Sequence, residues 1–371
     1  MSNLHIKVIG AGPSGSLLAL SLVGNSNAVS IYEAKSKEQI LLRDRTYAIN
    51  HSSRRLLQRI GIWDDLNEFM IPFDSLSLED YSVNQRLVLY NKDLVNLNSS
   101  YKEVGWTLDH KLLMEYLFYK ISKSSNINIK FSSKDNDANA LYDYTFAADG
   151  TNSRYRDLWK FKSYRFKYNQ ECITFKALLR TPFTHRAYEI FRKDGPMAIL
   201  PMANDLYQIV LSMPPLKSDY LLNLTTSHFL DTVATYLPIG MEIDTLINKP
   251  QKFSLSLNVP IKLQDYNRFL IGESLHSLHP VGGQGLNLSI RDIDDIMNLL
   301  TSSNLLQYKI CRYIDIYTTS FLTHMLIVIF SSNNIILKVF KLSLFTILRK
   351  SILFRKIVLS LMTDGIPHIF K

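Results

Sequence analysis

Residues 5–23 read HIKVIGAGPSGSLLALSLV. A β-branched run meets three glycines and continues as a long uncharged apolar stretch. That is the pattern of a buried strand, a tight turn and a buried helix. Gly10, Gly12 and Gly15 are spaced GxGxxG, with Pro13 and Ser14 at the head of the helix. The three glycines do different things. Gly10 allows the turn, Gly12 brings backbone close to a pyrophosphate, and Gly15 lets the helix pack on the strand. N–H groups at the helix start then face phosphate charge. A second strand, AVSIYE at 28–33, ends in Glu33, where an acid accepts the hydroxyls of an adenosine ribose. A carboxylate there repels a 2′-phosphate, so the pocket is expected to take NAD or FAD rather than NADP. This motif leaves the two open.

The demand for bare backbone returns at 271–288, IGESLHSLHPVGGQGLNL. Each glycine inside an ordinary element costs about 0.5–1 kcal/mol relative to alanine, so Gly272, Gly282, Gly283 and Gly285 imply a close approach by something else. RFLIGES (268–274) reads as a buried parallel-type strand, and GQGLNLSIRDIDDIMNLL (283–300) as a helix opened by glycines. Between the two glycine regions the chain changes texture. DRTYAINHSSRRLLQRIGIW (44–63) is a loop and then a helix from near Ser52 to near Gly61, with Arg45 and Arg54 in reach of phosphate or flavin. A helix runs from Leu112 to Ile121 with Asp109 as its N-cap. INIKFSS (127–133) is a strand, KDNDANA (134–140) a turn, and YDYTFAADGTNSRYR (142–156) a strand that breaks at Asp149-Gly150. From 163 to 260, short β-rich runs separated by turn residues suggest an antiparallel sheet, interrupted by one helix at about 218–236.

The chain has 371 residues, 46% hydrophobic and 20% charged, which suits a globular protein with a full core. Cys172 and Cys311 match no CxxC spacing, so neither a disulfide framework nor a metal site is expected, and a reducing compartment is favoured. His276 and His279, three apart with no acidic ligand at suitable spacing, do not make a zinc site. The N-terminus enters a strand at once, which argues against a secretory signal. The net charge is +9, yet residues 331–371 alone carry seven basic side chains against Asp364, a net +6. No nucleic-acid motif accompanies that basicity, and nucleic acid is not an expected partner.

Taken in order, three stretches resemble the single-component FAD-dependent aromatic hydroxylases. GAGPSG with Glu33 is similar to that family's adenosine and pyrophosphate site. AADGTNSRYR resembles its second motif, through Asp149, Gly150, Ser153 and Arg156. GESLHSLHPVGGQGLNLSIRD resembles its ribityl motif, through Gly272, Glu273, Pro280, Gly282, Gly283, Gln284, Gly285, Leu286 and Asn287. Within the family the likeness is greatest to the ubiquinone-biosynthesis hydroxylases, through 44–63, AYEIFRKDGPMAILPM at 187–202, and FSSNN before the basic apolar tail. The resemblance implies an α/β fold: a discontinuous Rossmann-like FAD-binding domain (1–75, 100–165, 264–300), an inserted antiparallel-sheet substrate domain (76–99, 166–263) and a C-terminal helical region (301–371).

It implies FAD as cofactor, NAD(P)H and O2 as co-substrates, and a phenol, most specifically a polyprenyl phenol, as substrate. Glu273 would accept a ribityl hydroxyl, although the family has Asp there. Lys111 stands where Arg is usual, which loses the bidentate fork. The N–H groups of Gly282, Gly283 and Gly285 would stabilise negative charge on the reduced flavin. His276 reads as a structural partner of the loop. No catalytic base is named; Tyr47, Tyr188 and Tyr207 are set aside in a chain with twenty tyrosines. Rival readings are a polyprenyl reductase of the same superfamily and a non-catalytic lipid-binding scaffold.

Residues 316–337 lack charge but are interrupted by Thr, Ser, His and Asn, so they are not expected to span a bilayer. From 335 on, basic residues recur at helical spacing with Phe340, Phe345 and Phe354 among them. Such a face suits an anionic membrane surface or a helix packed on the catalytic domain. The expected location is cytoplasmic, peripheral on the inner face of the membrane, beside other quinone-biosynthesis enzymes.

Overall fold

The structure, a computed structural model, describes residues 3–23, 27–94, 101–133 and 141–364. The turn expected at 134–140 lies outside them, as does Lys371.

The apolar strand His5–Ile9 sits inside a six-stranded sheet, with Ile6 and Val8 fully buried. The order across the sheet is Gln264–Asp265, Arg268–Leu270, Tyr144–Ala147, His5–Ile9, Ala28–Tyr32, Ile127–Lys130. All neighbours from Arg268–Leu270 onward are parallel, and helix Pro13–Val23 crosses from the first strand in sequence to the second. The chain thus runs one way from His5–Ile9 and then the other, so a switch point lies between His5–Ile9 and Tyr144–Ala147. Open α/β sheets bind ligands at the carboxyl ends of strands beside such a point. Gly10, Glu33, Asp149 and Gly272 all follow the carboxyl ends of strands of this sheet.

The second sheet is built on the 18-residue strand Ser163–Arg180, which pairs with Leu206–Met213, Glu242–Leu246 and Gln251–Pro260. Met197–Ala203, Arg186–Phe191, Ser75–Asp80 and Gln85–Tyr90 continue it. The sheet is antiparallel as expected except at one place. Arg186–Phe191 and Ser75–Asp80 are parallel, because Ser75–Asp80 arrives from a distant part of the chain. Alternation along Arg186–Phe191 sends Tyr188 and Ile190 to one apolar cluster and Ala187 and Phe191 to another. The latter side faces Val281 of the glycine loop and the C-terminal helices through Phe330, Phe345 and Leu359. The single helix expected at 218–236 is two, Pro215–Leu222 and Thr226–Ala234. Asn223 closes the first, and Thr225 caps the second by accepting from the His228 N–H at 3.4 Å.

Helix His110–Lys123 begins on Asp109, whose side chain accepts from the N–H groups of Lys111 and Leu112. Three helices end the described chain: Leu305–Phe330, Ile335–Lys350 and Ile352–Asp364. Leu305–Phe330 is long and apolar enough to cross a membrane by length and composition alone. It nevertheless buries Arg312 and Asp315 against helix Gln284–Ser302. The basic tail is also not one continuous solvated face. Lys341 is fully buried, donating to Ser82 Oγ at 2.9 Å and lying 3.5 Å from Asp80. Arg355 pairs with Asp93 at 2.9 Å, and Phe345 is buried. These three side chains hold the helices on the large sheet.

Candidate active site

The glycine turn after His5–Ile9 is held from both sides. Gly10 has φ of 103° and donates to Tyr32 O at 2.8 Å. A Cβ on Gly15 would sit 2.0 Å from Gly10 O, so only hydrogen fits. Glu33 reaches back: one oxygen accepts the Ala11 N–H at 2.7 Å, the other the Lys35 N–H at 2.8 Å. The acid read from sequence as a ribose acceptor thus also fixes the shape of the turn.

The second and third motifs are clamped together by Arg156. Its guanidinium donates to Ser274 O at 3.0 Å and to Thr151 O at 2.8 Å, and Ser153 caps the short helix that carries it. Burial pushes the Arg156 pKa down, with the positive Arg165 acting the same way. Asp149 accepts the Tyr155 N–H at 3.3 Å through one oxygen. Its other oxygen is buried with no partner among the described residues. Glu273 is half-exposed, accepts from Thr151 Oγ1 at 3.2 Å and lies 3.9 Å from Arg45. His276 pairs with Asp292 at 2.8 Å, and the same carboxylate oxygen accepts the Gly272 N–H at 2.8 Å. His276 is therefore a structural partner of the loop.

After Pro280 the backbone takes two left-handed residues, Gly282 (φ 70°) and Gly283 (φ 61°), and enters the 19-residue helix Gln284–Ser302 with no side-chain cap. Its first N–H groups are available to an acceptor from outside. Asn287 is more occupied than its motif suggests. It donates to Ala48 O and Gly283 O and accepts from Ser53 Oγ and the Asn50 N–H. Gln284 donates to Met362 O at 2.9 Å, so the last helix closes on the glycine loop.

These loops and the large sheet enclose a cavity of about 810 Å³. Arg45, Glu273, Pro280, Gly282, Gly283, Gln284, Gly285, Leu286 and Asn287 line it. Lys111 does not: it is exposed on the far side of its helix, 3.9 Å from Glu115. Arg54 lies over the rings of Trp63 and Trp106 and is also outside it. Of the three tyrosines set aside, Tyr47 and Tyr188 reach the cavity, whereas Tyr207 is buried elsewhere with its hydroxyl on Thr184 O. Sequence reasoning misses Glu189, His279 as a wall residue, and Leu359, Met362 and Thr363 from the last helix. His279 is fixed as one tautomer, since Nδ1 accepts the Val281 N–H while Nε2 faces Gln170 Oε1 at 3.2 Å. Burial pushes its pKa down to about 3.

A turn with no room for a Cβ, an unpartnered buried Asp149 oxygen and an uncapped helix start beside a large cavity fit a dinucleotide with a flavin ring. The fold and site together define an FAD-binding protein of the α/β class. Residues 122–303 match the FAD binding domain family. The chain is 28% identical over 309 residues to an uncharacterised protein of Synechocystis, covering 78% of this chain and 73% of that one. It is 22% identical over 318 residues to 3-demethoxyubiquinol 3-hydroxylase of Escherichia coli, covering 81% and 80%. Its fold is that of p-nitrophenol 4-monooxygenase from Pseudomonas putida, with a TM-score of 0.75 at 14% identity over 97% of both chains. The FAD binding domain match and the hydroxylase relative support a flavoprotein monooxygenase with FAD as its cofactor.

Proposed function

We propose that this protein hydroxylates the ring of a phenol bearing an apolar chain, of the polyprenyl kind used in ubiquinone biosynthesis, with NAD(P)H and O2 as co-substrates. The observation that carries the reading is the cavity, apolar over most of its wall through residues such as Phe73, Leu76, Leu200, Val210 and Phe253, and bounded by the glycine loop. Bound FAD, once reduced, supplies an activated oxygen atom from O2. The residues of the chain divide the remaining work. Glycine turns hold the cofactor, the apolar walls orient the ring, and closure by Met362 and Thr363 keeps water out. Net, one phenol, O2, NAD(P)H and a proton give the hydroxylated phenol, NAD(P)+ and water.

Purified protein should be yellow and release a free flavin absorbing near ~450 nm on denaturation. Oxygen uptake should match hydroxylated product in the presence of a short-chain prenyl phenol. NAD(P)H oxidation with no oxygen in the product would point to the reductase rival. Colourless protein that stays so with added FAD would point to the scaffold.

Glu273 gives a second test. Its carboxylate is half-exposed and already near Thr151 and Arg45, so Glu273→Ala should weaken FAD by about 1.5 kcal/mol, the lower end for a charge-assisted hydrogen bond. That is roughly tenfold in dissociation constant. Glu273→Asp should be tolerated. Equal affinity in the alanine variant would remove Glu273 from the cofactor site.

The membrane reading rests on the last two helices. Ile335, Ile336, Val339, Phe340, Leu353 and Phe354 are exposed there beside Lys338 and Lys350. Lys341 and Arg355 are spent inside the protein, so neither belongs in the test. Lys338→Gln with Lys350→Gln should lower binding to anionic vesicles by roughly 2 kcal/mol, about thirtyfold, at low salt. The parent should be largely released by high salt. Vesicle binding equal to the parent's would make this face ordinary surface.

A further inference from the structure

The wall that the large sheet presents to the cavity carries one carboxylate. Arg186–Phe191 contributes Ala187, Tyr188 and Glu189, Met197–Ala203 contributes Ala198 and Leu200, and Leu206–Met213 contributes Val210. Glu189 is only 6% exposed. One of its oxygens accepts the Gly282 N–H at 3.0 Å, directly across from the glycine loop. Burial drives its pKa up to about 7, opposed only by that hydrogen bond. A sheet core has no structural need of such a group, since an apolar residue would fill the position without the several kcal/mol of desolvation that a buried ion costs.

Its surroundings leave its charge unanswered. Cross-strand from it are Leu78 and Ala198. Further along Ser75–Asp80, Glu79 pairs with Arg86 and Asp80 with Lys341. Cys172 on the long strand is pushed up to about 12 by burial, and His279 in the glycine loop down to about 3, so both are neutral near pH 7. Asp364 at the end of the last helix is paired with Arg55. Arg45, on the opposite wall, lies against Phe253 and Glu273.

We propose that Glu189 is a catalytic residue that takes the hydroxyl proton of the phenol bound in this cavity, held in place by the Gly282 N–H. The inference rests on the phenol reading above. The phenol O–H bond breaks, its electron pair stays on oxygen, and the proton bonds to the Glu189 oxygen that Gly282 does not hold. The phenolate ring is richer in electrons and more reactive toward an electrophilic oxygen atom. The carbon that took the oxygen atom then loses its hydrogen as a proton, which goes to the oxygen atom that leaves as water. Glu189 returns the first proton to the ring oxygen as aromaticity is regained. A base that titrates near the working pH is the efficient choice for such a transfer.

The test uses the FAD-loaded full chain and 4-nitrophenol, yellow as phenolate and colourless as phenol. At pH 7, where free probe is a mixture of phenol and phenolate, binding to the parent should place the proton on Glu189 and leave each bound molecule yellow. Glu189→Gln keeps an acceptor for Gly282 and should retain FAD, yet leave less than a tenth as much of the bound probe yellow. Glu189→Asp should restore the yellow. With a substrate that is turned over, the Gln variant should lose about 10²–10⁴ in rate. Equal colour of the bound probe in parent and Gln variant overturns the proposal, as does failure of the flavin-loaded parent to bind the probe. Loss of FAD by the Gln variant alone also overturns it, since Glu189 would then be bracing the loop. A parent that never binds FAD is a different result, which refutes the functional reading itself.

Discussion

Gly15→Ala should leave a protein that holds no flavin and is at least about 3 kcal/mol less stable, at or beyond the upper end for overpacking a tight core contact. The new Cβ would lie 2.0 Å from the carbonyl oxygen of Gly10 and 3.3 Å from the Ala148 Cβ. Neither backbone carbonyl nor helix can yield that distance without opening the turn, and Glu33 holds the turn through the Ala11 N–H. Gly12→Ala is the informative partner. A Cβ there meets nothing within 4 Å, so stability should change by less than about 0.5 kcal/mol. FAD affinity should nonetheless collapse if the pyrophosphate passes over Gly12. Urea unfolding and flavin retention, measured on both variants, separate folding from binding. A Gly12→Ala protein that keeps its FAD would place the phosphates elsewhere.

The contrast between those glycines also explains what sequence reasoning reaches. Turns that demand bare backbone announce themselves, because few other residues tolerate the position; hence the three motifs and their strand ends are legible. Caps are legible for a related reason: Asp109 is a short acceptor placed just before an apolar helical pattern. Thr225, by contrast, reads as part of one long helix because Leu, Asn and Thr at 222–225 do not forbid helix. Their effect depends on Asn223 closing one segment and Thr225 starting another. Lys341 and Arg355 read as a solvated face, since helical spacing does not reveal that Asp80 waits on the sheet and Asp93 in the turn at Asn91–Leu94. Lys111 matches its motif by position, yet the helix turns it outward. Glu189 does carry a signal of its own: it is one carboxylate in RAYEIF, a run in which every residue is buried.

The second large effect is expected at Arg312, the largest fully buried side chain. Its guanidinium lies 3.2 Å from Asp292, 3.0 Å from Asp295 and 2.9 Å from Asp315. Burial opposes its charge, but the three carboxylates outweigh that and raise its pKa. Arg312→Met should cost about 3–5 kcal/mol, because removing one partner leaves buried carboxylates without their shared cation. Arg291 still holds Asp315 at 2.7 Å, so Asp292 and Asp295 bear most of the loss. Asp292 is also the residue that accepts the Gly272 N–H and pairs with His276. Damage on the helix should therefore travel to the Glu273 loop, and FAD affinity should fall even though Arg312 is outside the cavity. Arg312→Lys should recover little, since a compact ammonium cannot reach three carboxylates in different directions. Replacing Arg312 together with Asp292 and Asp295 by apolar residues, with Asp315 left on Arg291, would remove the charge problem. That triple variant should regain stability without regaining flavin affinity, because the Gly272 and His276 contacts would be gone. If the Met variant unfolds at the parent's urea midpoint, the buried cluster is not what fastens the C-terminal helices to the flavin loop.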